Sequence, residues 1–174
     1  MAKKRRAVAY RTVERPYTRY SKYKKQNFVR GNPVIKVVRF NSGNMKKKFP
    51  VKIVLISNSA VQIRDMSIES ARLACHRTLE KNIGKDNFHM KILAYPHHVL
   101  RENPLASGAG ADRMSTGMKK SFGKPVGKAA QIRAGKELIM VETDTKHVKL
   151  AKRALRYAAH KFPTGCSIKV LNSE

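Results

Sequence analysis

Reactive chemistry in this chain would have to be built from six histidines, two cysteines and 11 acidic residues. His89, His97 and His98, with Cys75 or His76, supply the imidazole and thiol donors a metal ion needs. Their spacing fits no usual zinc arrangement, and adjacent histidines rarely turn toward one ion. Glu102 and Asp112 are the carboxylates nearest a nuclease-type metal site, yet each stands alone in a cationic stretch. Gly108-Ala109-Gly110-Ala111-Asp112-Arg113 begins as a dinucleotide loop does, but Arg113 takes the third glycine position. Gly123-Lys124 lacks the glycine five residues earlier and the Ser or Thr after it that a phosphate-cradling loop uses. These residues predict no catalytic centre, no metal and no cofactor.

The chemistry that remains is electrostatic. Of 174 residues, 38 are Lys or Arg and 11 are Asp or Glu, a net charge of +27. Such charge repels itself and resists compaction until a polyanion neutralises it, which argues against a free-standing metabolic enzyme. The acids are unevenly placed: none lies between Glu14 and Asp65, and none between Asp112 and Glu137. Two long acid-free segments point to a polyanionic partner, with nucleic acid ahead of a membrane surface. The basic segments are rich in Gly, Pro and Tyr and carry no amphipathic helical period. No apolar run approaches the roughly 18–20 residues of a membrane helix. The two cysteines, Cys75 and Cys166, lie outside any CxxC spacing, so a reducing, cytoplasmic setting is expected.

The elements that must position this charge can be read from periodicity. Residues 1–31 form a basic, Tyr-rich extension in which Tyr10, Tyr17, Tyr20, Tyr23 and Phe28 alternate with 11 Lys or Arg. Cations there would neutralise phosphates while the rings stack on unpaired bases, with some rings packing on the domain instead. Residues 32–174 read as one α+β domain. Strands are predicted over 34–40, 51–57, 61–64, 88–95, 126–133, 137–142 and 167–171, with 41–44 as a turn and the strands 126–133 and 137–142 paired about Ala134-Gly135. A first helix, capped by Ser67 with Glu69 in its first turn, buries Ile68, Ala71, Cys75, Leu79 and Ile83 and stops at Gly84. A second, capped by Asp144 or Thr145, buries Val148, Ala151, Leu155, Ala158 or Ala159, and Phe162. Two packed helices on a mixed or antiparallel sheet are the expected architecture. Residues 103–125 lack any period and form a long basic loop, in which Gly and Ala let backbone approach phosphates that Lys and Arg neutralise.

Around that loop the sequence is recognisable. Tyr95-Pro96-His97-His98-Val99-Leu100-Arg101-Glu102-Asn103, then Gly108 to Arg113, Gly117-Met118 and Phe122-Gly123-Lys124-Pro125-Val126-Gly127 resemble a universal large-subunit ribosomal protein family. It is the one numbered sixteen in bacteria and called "ten-e" in archaea and eukaryotes. Gln62-Ile63-Arg64, His89-Met90-Lys91 and Ala158 to Thr164 add to the match, which spans about residues 30–171. The resemblance implies an α/β-hammerhead fold and a place in the cleft between the central protuberance and the factor-binding stalk. It also implies contact with large-subunit rRNA near the aminoacyl-site tRNA elbow, with loop 103–125 projecting toward the peptidyl transferase centre. Partners expected on this basis are large-subunit rRNA, tRNA at the aminoacyl site and other large-subunit proteins, with the chain a monomer within the cytoplasmic ribosome. The end at Glu174, without the longer tail of eukaryotic relatives, suggests the archaeal type.

The residues expected to meet RNA follow from the two readings together. In the extension they are Arg11, Arg15, Arg19, Lys22, Lys24, Lys25 and Arg30. In the domain they are Lys46, Lys47, Lys48, Arg64, His97, His98 and Arg101, and in or beside the loop Arg113, Lys119, Lys120, Lys124 and Lys128.

Overall fold

A computed structural model describes residues 5–29, 31–103 and 123–172. Its strands are β1 (Asn41–Gly43), β2 (Val51–Ser57), β3 (Val61–Arg64), β4 (Phe88–Ile92), β5 (His98–Glu102), β6 (Lys124–Ile132), β7 (Glu137–Thr143) and β8 (Cys166–Asn172). Among the described residues two α-helices, α1 (Asp65–Ile83) and α2 (Val148–Ala159), complete an α+β fold. The strands form a five-stranded sheet in the order β1-β4-β7-β2-β8 and a three-stranded sheet in the order β3-β6-β5. Every pairing among the described strands is antiparallel.

The core lies between the helices and one face of the larger sheet. Ile53 and Leu55 of β2, Phe88, Met90 and Ile92 of β4, and Ile139 and Val141 of β7 project toward it. Ile68, Ala71, Cys75, Leu79 and Ile83 of α1 meet them at the spacing the sequence predicts, as do Ala151, Leu155 and Ala158 of α2. Removing side chains of this size from water is the main favourable term holding such a domain together. Burial pushes the Cys75 thiol up to about 12, so it stays protonated as an inert core group. Gly84, at φ +85°, ends α1 as expected.

Four local expectations are corrected. Residues 34–40 form no strand: the Lys36 and Val38 amides donate to the Asp65 and Glu69 carboxylates of α1, at 3.0 and 3.2 Å. The helix begins at Asp65, whose Oδ1 accepts the Met66 amide, so Ser67 lies inside it and Glu69 serves the neighbouring chain instead of the helix end. The 41–44 turn is in part strand β1, and the turn falls later, where Asn44 Oδ1 accepts the Lys46 and Lys47 amides. β6 and β7 do not pair with each other. β7 is buried from Leu138 to Val141 and needs strands on both sides, which β2 and β4 supply. The Ala134-Gly135 turn therefore carries the chain from one sheet to the other, held to the end of β2 by Gly135 N–H to Ser57 O at 2.8 Å and Ser57 N–H to Lys136 O at 3.0 Å.

Candidate nucleic-acid interface

The period-two pattern Val61-Gln62-Ile63-Arg64 sends Val61 and Ile63 to the core and leaves Gln62 and Arg64 on the outer face of the small sheet. Register places Gln131 opposite Gln62, and Ala129 opposite both Arg64 and His98. That outer face is polar, and the N-terminal segment lies across it. At the β3 edge, the Gln62 amide donates to Arg11 O at 2.8 Å; at the β5 edge, the Val99 amide donates to Tyr17 O at 3.1 Å. Between these edges the Gln131 side-chain amide donates to Glu14 O at 2.8 Å, and that of Gln62 reaches Tyr10 O at 2.9 Å. Two sheet edges that would otherwise offer unpaired backbone are thus covered by the chain itself.

Ion pairs and ring contacts fasten the strap. Arg5 Nε donates to Glu102 Oε1 at 2.6 Å and the Tyr10 hydroxyl to Oε2 at 2.9 Å. The Tyr10 hydroxyl, then partial desolvation working the other way, then Arg5 leave the Glu102 carboxyl below its ordinary range, while burial and that carboxylate push the Tyr10 hydroxyl up. The Arg101 guanidinium sits 3.8 Å from the Tyr17 ring centre, and Arg64 5.6 Å from that of Tyr10. A cleft of about 900 Å³ opens between strap and sheet, bordered by Arg15, Arg19, Phe28 and Asn103. Glu102 is therefore a structural partner of the strap, and no group of residues suited to holding a metal ion occurs among the described residues.

The nominated cations fall into distinct situations. Arg11, Arg15, Arg19, Lys22, Lys24 and Lys25 are exposed along the strap and the turn after it, with Arg19 over the Phe28 ring and Lys22 over that of Tyr23. Lys46, Lys48, Lys124 and His97 are exposed, and Arg64 is half-buried beneath the strap. Lys47 is bound to Asp144 at 3.0 Å. His98 is buried, its Nδ1 accepting the Tyr17 amide at 2.9 Å, and burial lowers its pKa while Glu14 and Arg101 pull in opposite directions. Lys128, opposite Val99, is buried as well. Arg30, Arg113, Lys119 and Lys120 lie outside the described residues, as does most of loop 103–125. β5 and β6 place the two ends of that loop side by side, with Glu102 paired to Lys124.

Ring columns add a second kind of surface. Phe40 stacks on Tyr95 at 4.8 Å, and Tyr95 on His97 at 6.2 Å, leaving Tyr95 and His97 exposed. One charged surface escaped the sequence reading. Residues 145–173 form a third acid-free segment, and its cations Lys149, Lys152, Arg153 and Arg156 share the outer side of α2. The same scan for missing acids would have found it.

An arrangement of exposed cations, rings and a paired loop base can hold phosphates and stack bases, and the chain as a whole is similar in sequence to known proteins. The sequence model described as Ribosomal protein L16p/L10e matches residues 16–169. Large ribosomal subunit protein uL16 of Archaeoglobus fulgidus is 42% identical over 94% of this chain and 91% of its own. That of Thermoplasma acidophilum is 41% identical over 91% and 93%, and that of Methanococcus maripaludis 41% over 98% and 95%. With a match over nearly its whole length to archaeal relatives of this kind, the chain belongs to the ribosomal protein L16p/L10e family, archaeal type.

Proposed function

We propose that the chain is a structural constituent of the large ribosomal subunit that binds large-subunit rRNA near the aminoacyl-tRNA site, with loop 103–125 directed toward the peptidyl transferase centre and tRNA. It is a part of the cytoplasmic ribosome and not an enzyme; rRNA, tRNA and neighbouring large-subunit proteins are its partners. The observation that carries this is the exposed row of cations from Arg11 to Lys25, along the strap held across the small sheet and the turn after it, beside the paired strands from which the loop departs. Cations held on a rigid platform meet phosphates without first losing their own conformational freedom, and phosphate contacts supply most of the affinity.

Binding to an rRNA fragment should therefore weaken by about 0.7–0.9 log units per log unit of salt for each phosphate neutralised. A flat salt response, or equal affinity for duplex DNA, would sink the rRNA assignment. The finer placement has its own test. Changing Arg113, Lys119 and Lys120 together to Ala should leave the fold intact yet slow tRNA accommodation or subunit maturation. Ribosomes translating normally with that variant would show that the loop plays no part in either.

A further inference from the structure

After Asp144 no acid follows until Glu174. In α2 four of twelve residues are cations and none is an acid, whereas α1 intersperses Asp65, Glu69 and Glu80 among its own. The buried side of α2 is Ala151, Ala154, Leu155 and Ala158. Lys149, Lys152, Arg153, Arg156, Tyr157 and His160 line a shallow groove of about 500 Å³ on its other side. Arg153 Nε donates to the Tyr157 hydroxyl at 3.0 Å, which lays that guanidinium along the helix. The cations stand three or four residues apart, and like charges at that spacing oppose helix formation about as strongly as opposite charges favour it. Arg156, in the last turn, gains from the helix dipole, but fold stability gives no reason for the rest of the row; a polyanion lying across it removes the repulsion.

We infer that the outer side of α2 is a second RNA-docking surface, which grips the phosphates of a double-helical segment of large-subunit rRNA. This rests on the rRNA-binding function proposed above. The surface is distinct from the strap, because α2 packs on α1 and the five-stranded sheet while the strap covers the three-stranded one. Double-helical RNA is the partner because this surface is mainly cationic, with two rings at one end, Tyr157, already bonded to Arg153, and His160, where the strap alternates many rings with its cations. Single strands are held by stacking platforms, duplex RNA by its shape and phosphates. From Lys149 to His160 the helix makes a rigid row about 16 Å long.

The test compares two full-length variants that lose the same charge. One is K149Q/R153Q/R156Q; the other, R77Q/K81Q/K85Q, takes exposed cations from the mixed-sign end of α1 and the turn after it. Probes are an RNA duplex of about 16 base pairs, an oligouridine of equal length and large-subunit rRNA. On the duplex, the α2 variant should lose about two to three from the salt slope and the α1 variant less than one. Oligouridine binding should fall less than duplex binding. Free of RNA, the α2 variant should melt no lower than the parent; if it melts early, R156Q alone, with about 0.9 off the slope, decides. Equal losses from both variants, unchanged duplex binding by the α2 variant, or a greater loss on oligouridine would each overturn the inference. Parent protein that binds rRNA while the α2 variant binds equally well overturns this inference alone, whereas a parent that fails to bind rRNA overturns the function on which it rests.

Discussion

An imidazole at position 98 has to be neutral to accept the Tyr17 amide, since protonation turns Nδ1 into a donor. Because burial lowers the His98 pKa below its ordinary 6.5, the unfolded chain takes up a proton before the folded one does. The stability His98 contributes is therefore complete above 6.5 and lost as the pH falls below that value toward the folded one. Exchange of the Tyr17 amide, corrected for intrinsic rate, should be steady above pH 6.5 and accelerate as the pH is taken below that value and across the lowered pKa of His98, and H98Q, which keeps an acceptor that does not titrate, should flatten the profile. A parent protein with constant protection across that range would refute the role given to His98. Residue type alone could not reveal this. His98 and Lys128 read in the sequence as cations for RNA, and their burial depends on a register between β5 and β6 that composition does not encode.

At the scale of elements, the helices and inner strands were legible because their apolar periods of 3.6 and 2 are strong. What misled was competition for backbone partners. Residues 34–40 have a strand's composition, but the Asp65 and Glu69 carboxylates take two of their amides. Glu69 keeps its charge there: burial alone would raise its pKa, and the bonds from Arg72 and the Val38 amide more than offset that, holding it below the ordinary range. β1 depends on one residue type. Gly43 has φ +86°, and a Cβ there would stand 2.2 Å from Phe88 O, in the strand with which β1 pairs. G43A should cost at least about 1–3 kcal/mol from the backbone alone, visible as a lower melting temperature. An unchanged melting curve would mean that β1 can part from β4 without consequence. L155A, at a fully buried position of α2, should cost about 2–5 kcal/mol.

For the whole molecule, a net charge of +27 on 174 residues makes the free protein work against its own field. Ligands that bind only the folded form stabilise it by mass action, so a short polyphosphate at low salt should raise the melting temperature. Sodium chloride at equal ionic strength should raise it less; identical shifts would mean that screening alone suffices and that no surface gathers phosphates. The strap carries a last consequence, one of timing. Its partners are made long after it: Gln131 comes 117 residues after Glu14, whose carbonyl it holds. At about 5–20 residues per second of synthesis, that interval is on the order of ten seconds. A stretch that leaves the parent ribosome well before the sheet it crosses is thus among the last that can be tied down, and it waits as a bare polycation beside the RNA of the machine that is making it.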